Sequence, residues 1–335
     1  KKHYESIPAR AWIILLNALN LLIRAYQFKP DFIYLNSRLD FKGPVRDFIT
    51  ILFIRIFYYK KVFFFIKSHG SDLEVLQTRK FIFRKIIFPY LNRQVNAWLF
   101  LSNEELQWIA SRHLLNPDRL FLAKNIIHTE QFLQDPGFRK QHNIPEDHKI
   151  LLFAGRMIRE KGIFDIVDAF AGFPQQHKAT LIMVGDGEEF TKLKAAIENR
   201  NIKGRIILPG WLSEDEVASF TANSDILIFP TYFPEGFPMA LFNAAGAGLS
   251  IITTPTRAAL DYLKEPDNCL WVEPKNPASV TSALEKLYNR PGLMNAMSQN
   301  NRQLANLFSQ QQVARELSSV LESVKENQSR IPQYV

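Results

Sequence analysis

LLFAGRMIREKGIFDIVDAF, residues 151–170, is the stretch on which the fold turns. It opens on a short continuous apolar run, 150–154, which reads as a strand buried on both faces. A loop bounded by Gly155-Arg156 and Lys161-Gly162 follows, and a helix is expected over 163–172. The same strand–loop–helix unit then recurs. A strand at 180–184 leads to Gly185-Asp186-Gly187 and a helix at 188–199. A strand at 205–208 leads to Gly210-Trp211 and a helix opened by Ser213-Glu214. A strand at 226–229 leads through Pro230 to a helix at 239–247. Strands at 250–253 and 269–272 follow, separated by a helix near 256–263, and the last strand precedes helices at 277–290 and 292–308. Repetition of this kind predicts an α/β fold with a parallel sheet and helices on both its faces. In such sheets, ligands bind at the loops that follow the carboxyl ends of the strands.

Upstream the pattern is similar. An amphipathic helix is expected over 8–26 and a strand over 32–35, ending at Asn36-Ser37. A second helix covers 44–59, and a strand at 62–66 runs into the loop Lys67-Ser68-His69-Gly70-Ser71-Asp72. A basic helical region covers 79–95. A strand at 97–101 precedes a helix that Ser102 can cap, and a short strand covers 120–124. The polar segment 134–148 holds Pro136-Gly137 and Pro145 and is taken as the boundary between two Rossmann-like domains. That places an N-terminal domain at 1–137, a C-terminal domain at 138–310, and at 311–335 a helix and polar tail packing back toward the first domain. The length of 335 residues suits two domains.

The net charge of +8 is uneven. Residues 1–149 hold 23 Lys/Arg against 13 Asp/Glu, and the remainder is slightly acidic. The first hundred residues alone hold 17 against 6. A basic half attracts anions: phosphate-bearing substrates or an anionic membrane face. Aromatic and basic residues share the helices at 48–59, followed by Lys60-Lys61, and at 80–85, which suits contact with such a membrane as well as packing on the sheet. No nucleic-acid motif accompanies the charge, so nucleic acid is not expected as a partner. The apolar run Ala11 to Ile23 lies between Arg10 and Arg24, short of the roughly 20 residues a span needs, so no transmembrane helix is expected. No small-residue cleavage site follows it, so no signal peptide is expected. The lone Cys269 reads as a small buried residue and favours a cytoplasmic location. No histidine, His113, His128 and His148 included, stands at metal-ligand spacing, and no metal site is expected.

Four loops of the second domain carry the chemistry: Gly155-Arg156 to Lys161-Gly162, Gly185-Asp186-Gly187, Gly210-Trp211, and Glu235-Gly236-Phe237-Pro238. Each follows a strand and precedes a helix. Glycine lets backbone approach a ligand, and the free N–H groups at a helix start favour anions. Arg156 and Lys161 add two cations there, so a diphosphate fits.

The order and content of these loops resemble the donor-binding domain of the family-4 retaining glycosyltransferases, which have the GT-B fold, two Rossmann-like domains whose parallel sheets face a central cleft. The matching stretches are LLFAGRMIREKGIFDIVDAF (151–170), LIMVGDGEE (181–189), IILPGWLSEDEV (206–217), SDILIFPTYFPEGFPMALFNAAGAGLSIITT (224–254) and DNCLWVEPKNP (267–277). The resemblance is thinner in FIYLNS (32–37), FIKSHGSD (65–72), WLFLSNEE (98–105) and LAKNI (122–126). It implies a metal-independent, retaining hexosyltransferase that takes a UDP- or GDP-sugar and needs no cofactor. The acceptor would be a glycan or a lipid-linked molecule, in bacterial surface polysaccharide or glycolipid assembly on the inner face of the cytoplasmic membrane. By the same resemblance, Arg156 and Lys161 neutralise the donor diphosphate, and Glu235 contacts the donor sugar. His69 faces that sugar from the first domain, the Gly236–Pro238 backbone passes close to it, and Trp211 lies by the base. Gly155, Gly185, Gly187 and Gly210 shape the loops.

Three positions depart from the family pattern. Asn243 stands where a glutamate commonly grips the nucleotide ribose. Ile126 follows Asn125 where glycine is common. The family's opening strand, glycine-rich loop and helix have no counterpart, as though about two strand–helix units preceded residue 1. The first and third departures motivate an alternative: a degenerate GT-B protein that binds a nucleotide or a partner without turnover.

Overall fold

The computed structural model describes residues 7–69 and 73–329. It divides into two compact units, residues 1–123 with 315–335, and residues 124–314.

In the first unit, α1 (Ile7–Phe28), β1 (Phe32–Ser37), α2 (Gly43–Phe57) and β2 (Phe63–Ser68) come first. They are followed by α3 (Phe88–Gln94), β3 (Val95–Phe100), α4 (Asn103–Ser111) and β4 (Leu120–Leu122). The four strands form one parallel sheet in the order β1-β2-β3-β4. Strand alternation sorts its side chains. Phe64 and Ile66 join a core with Leu22, Ala25, Ile51 and Ile54 of α1 and α2. Phe65 points to the other face, where Ala97 and Val324 bury it. Val324 belongs to α13 (Gln310–Ser329), whose later part is counted with this unit. One turn of π-helix, Phe83–Ile87, interrupts the basic region expected as plain helix. Gly70, Ser71 and Asp72 of the loop after β2 lie outside the described residues, as do Lys1 and Lys2.

The helix expected over 8–26 is present as α1. α1 has 22 residues and continues through Arg24, and its window Ala11–Phe28 is long and apolar enough to cross a membrane by length and composition. The uncharged run Ala11 to Ile23 stops at Arg24, but the helix continues past it, because one arginine does not end a helix. Among the described residues of α1, only Ala18, Leu22 and Ala25 are buried. Trp12, Leu15, Leu16, Leu19, Ile23 and Tyr26 are exposed, and at 100° per residue they fall on one flank. The other aromatic helices divide: Phe83 joins the core, whereas Ile56, Phe57, Tyr59, Phe81 and Ile82 are exposed.

The second unit holds α5 (Phe138–Gln141), β5 (Lys149–Ala154), α6 (Ile163–Gly172), β6 (Ala179–Val184), α7 (Phe190–Asn199) and β7 (Ile206–Gly210). After these come α8 (Glu214–Ala222), β8 (Ile226–Phe229), α9 (Met239–Ala247), β9 (Ser250–Thr253), α10 (Arg257–Tyr262), β10 (Leu270–Trp271), α11 (Pro277–Tyr288) and α12 (Pro291–Ala305). The six strands are parallel, in the order β10-β9-β8-β5-β6-β7. Strand order reverses between β5 and β8, the switch point at which ligands bind in open α/β sheets. Ile226, Leu227 and Ile228 are fully buried, as continuous apolar runs in a doubly covered sheet should be. Asp225 fastens β8 to β5 by accepting from the Ile150 N–H at 2.8 Å, the fixing role its position implies. Cys269 is free and buried.

The units divide at 123/124 rather than at 137/138. The polar segment belongs to the second unit because Phe138 and Ile144 are buried, Phe138 packs edge-on against Phe220, and the Asp135 N–H donates to Asn223 Oδ1 at 2.9 Å.

Candidate functional site

A cavity of about 450 Å³ opens in the second unit. The loops after β5, β6 and β7 form three of its sides. They supply Gly155 and Arg156, then Gly185 and Asp186, then Trp211 and Leu212. α9 adds Met239, Ala240 and Asn243, one face of the helix at i, i+1 and i+4 spacing.

The glycines are demanded by close approach. A Cβ on Gly185, whose φ is +133°, would meet the Gly155 carbonyl oxygen, and the Gly185 N–H donates to Gly210 O at 2.8 Å. A Cβ on Gly187 would lie 2.5 Å from the Met157 carbonyl oxygen. The three loops are thus packed backbone to backbone, which leaves room for a ligand above them. Gly187 and Gly210 shape this arrangement without lining the cavity. Trp211 stands 75% exposed at the rim.

Lys161 and Glu235 are placed differently. Lys161 is only 7% exposed, and its Nζ forms an ion pair with Glu235. Neither lines the cavity, but Arg156 ties them to it. The Arg156 guanidinium lies 5.2 Å from the Phe233 ring centroid, and Lys161 Nζ lies 5.4 Å from the same centroid. Burial, and secondarily the charge of Arg156, lower the Lys161 pKa to about 8. The connection is braced, since the N–H groups of Tyr232 and Phe233 both donate to Glu160 O. This pair was not legible in the sequence, because 74 residues separate its members.

The Glu235–Pro238 loop divides its roles. The Phe237 side chain is buried and stacks on Phe242, with ring centroids 3.9 Å apart, inside a cluster completed by Tyr262 and Phe308. Its side chain therefore anchors the loop and does not line the cavity. Pro238 is the N-cap of α9. Gly236 likewise is not among the lining residues.

Asn243 lines the cavity, and its Oδ1 is buried without a hydrogen-bond partner among the described residues. His69 lies in the first unit, where its Nε2 donates to Asn36 Oδ1 at 2.9 Å and its N–H donates to Ser37 O. Its pKa is lowered by desolvation and then by the charge of Lys67.

Sequence reasoning gave one wall no part in holding a ligand. Ile126, His128 and Gln131 line the cavity, as does Glu214. A signal was present in Gly246. A Cβ there would come within 3.0–3.3 Å of Ile127, Phe132 and Thr129, so a glycine is what lets that segment lie on α9. Among the described residues no group of three or more His, Cys, Asp or Glu could hold a metal ion.

Residues 134–304 match the family described as glycosyl transferases group 1, about half of the chain. The chain belongs to that family. Among curated members it is similar to the N-acetyl-alpha-D-glucosaminyl L-malate synthase of Bacillus anthracis, at 25% identity over 237 residues, which cover 70% of this chain and 61% of that protein. It is also similar to a capsular polysaccharide biosynthesis glycosyltransferase of Staphylococcus aureus, at 25% identity over 220 residues, covering 63% of this chain and 56% of that one. The chain spans about half to three-fifths of the length of the curated relatives it matches. Among solved structures, Anabaena HepE in complex with UDP and glucose superposes with a TM-score of 0.76 at 16% identity, covering 91% of this chain and 81% of HepE. This likeness shows the fold, GT-B, for the group 1 member described here.

Proposed function

We propose that this group 1 family member is a retaining, metal-independent glycosyltransferase that moves a hexosyl group from a UDP- or GDP-sugar to a glycan or lipid-linked acceptor. The observation that carries the reading is the cavity over the switch-point loops, with Arg156 on its wall and Lys161 close behind. Two cations there offset the negative charge that grows on the leaving diphosphate as the sugar–phosphate bond breaks. They supply this charge stabilisation without a metal ion. Charge-assisted hydrogen bonds of this kind contribute about 1.5–3 kcal/mol each. Glu235, held by Lys161 in the absence of donor, is released toward the sugar when the diphosphate takes over the ammonium. His69 is the residue the first unit is proposed to contribute. On the retaining face, the leaving phosphate oxygen takes the acceptor's proton, so no pair of catalytic carboxylates is needed.

Titrating UDP- and GDP-sugars into the wild type and Lys161→Ala, alongside an assay for nucleoside diphosphate release, tests this. Binding and transfer with one donor class, both lost in Lys161→Ala, are expected. Donor binding with neither transfer nor hydrolysis, for any acceptor tried, would favour a second reading, a binding protein without turnover. Asn243, with its one amide acceptor where the family commonly has a carboxylate, is the observation that motivates that alternative.

The acceptor side is read from the first unit. The exposed flank of α1, with Trp12 63% exposed, and the exposed Lys60 and Lys61 beside Tyr59 suit contact with an anionic membrane. The proposed location is the inner face of the cytoplasmic membrane, and the proposed pathway class is surface polysaccharide or glycolipid assembly, in keeping with the capsular relative. Sedimentation with anionic vesicles tests it; protein that stays in the supernatant overturns the membrane contact.

A further inference from the structure

Asn243 leaves the cavity with an incomplete set of acceptors. The two hydroxyls of a ribose diol present two hydrogens, and a carboxylate can meet them with two separate oxygens, whereas an amide offers one oxygen beside an NH2 that only donates. That oxygen, Asn243 Oδ1, has no protein partner among the described residues. The wall formed by residues 126–131 supplies what is missing.

His128 lines the cavity, and its Nδ1 lies 3.1 Å from Glu130 Oε1. The Glu130 carboxyl is held below its usual pKa by its own backbone N–H and by His128, so it is a carboxylate and only accepts. Nδ1 therefore carries the proton. In the neutral ring this leaves the Nε2 lone pair as the acceptor. The backbone that carries the ring is fixed from both sides. The Ile127 N–H donates to Phe308 O at 2.9 Å, and the Gln131 N–H donates to His128 O at 3.3 Å. Gly246 permits the segment to sit against α9, the helix that carries Asn243.

We propose that His128 is a specificity-determining residue of the donor site: its Nε2 accepts a hydrogen bond from a ribose hydroxyl and, together with the Asn243 amide, does the work of the absent carboxylate. The base then lies toward Leu212, Val217 and Ala218, the apolar side of the cavity, and the diphosphate toward Arg156. This inference rests on the donor being a nucleotide sugar, as proposed above.

Calorimetric titration of the full chain with UDP and GDP, and with their 2′-deoxy and 3′-deoxy analogues, tests it. For the nucleotide that binds, the wild type should prefer ribose to at least one deoxy analogue by about tenfold, the value of one hydrogen bond to a hydroxyl. His128→Ala should bind the ribonucleotide about as weakly as the wild type binds that analogue, with the preference gone. His128→Gln, which keeps an acceptor, should retain part of the preference and guards against a folding artefact in the alanine variant. A preference unchanged in His128→Ala, or absent from the wild type, overturns the role of His128 while leaving the donor site standing. Failure of UDP, GDP and all analogues to bind folded protein overturns the donor reading itself.

Discussion

The two units solve the same folding problem and end with opposite surfaces. Both are parallel sheets with apolar strands. Yet sixteen of the twenty-one large apolar side chains exposed among the described residues belong to the first unit, although it is the shorter of the two. The first unit also carries the positive charge. The second unit turns its apolar residues inward and concentrates its polar chemistry in one cavity. The difference teaches that a shared architecture fixes where a site can form, at the strand ends, while side-chain exposure separates a unit that gathers its apolar residues inward from one that leaves them on its surface.

The contrast breaks most visibly in stability. Phe308 is fully buried against Phe237, Phe242 and Tyr262, so Phe308→Ala should cost about 3–5 kcal/mol in denaturant unfolding. Trp12→Ser removes a larger ring from the first unit and should change stability by no more than about 0.5 kcal/mol. Equal losses would mean that α1 is covered in solution.

Next in size is the pH dependence of donor affinity. Lys161 carries its charge below a pKa of about 8 and loses it above. Diphosphate affinity should therefore fall as pH rises from 7 to 9, by about one order of magnitude. Lys161→Arg should flatten that fall, because a guanidinium stays charged. A flat wild-type profile in calorimetry would separate Lys161 from the phosphate.

Such effects were unevenly legible beforehand. The loop at Gly185 and Gly187 announced the second unit, because glycine at a close backbone approach leaves a local mark in the sequence. The Gly236–Pro238 backbone was expected beside the sugar, but that the Phe237 ring packs an aromatic cluster was not legible, since apolar character alone does not say which way a ring turns. The Lys161–Glu235 pair and the wall at His128 depend on contacts between segments distant in the chain, and only the small residue at Gly246 hinted at the second of these. In the first unit, the extent of α1 was legible to within two residues, while its exposure could not be read from composition.

An effect of about the same size sharpens the surface contrast. Leu16→Glu or Leu19→Glu should each weaken sedimentation with vesicles containing phosphatidylglycerol by about tenfold, through the loss of about 1.5 kcal/mol of apolar transfer. Nucleotide affinity should not change. Smaller still, Ser213→Ala removes the capping box it forms with Glu216 at the start of α8 and should cost about 1 kcal/mol in thermal unfolding, within the second unit alone.

The most direct measurement is calorimetric titration of UDP- and GDP-sugars into the wild type, Arg156→Ala and Leu16→Glu. The account predicts one binding site for one donor class, weakened by about one to two orders of magnitude in Arg156→Ala and unaltered in Leu16→Glu. Binding that Arg156→Ala leaves intact, or no binding of any nucleotide sugar to the folded protein, would contradict it.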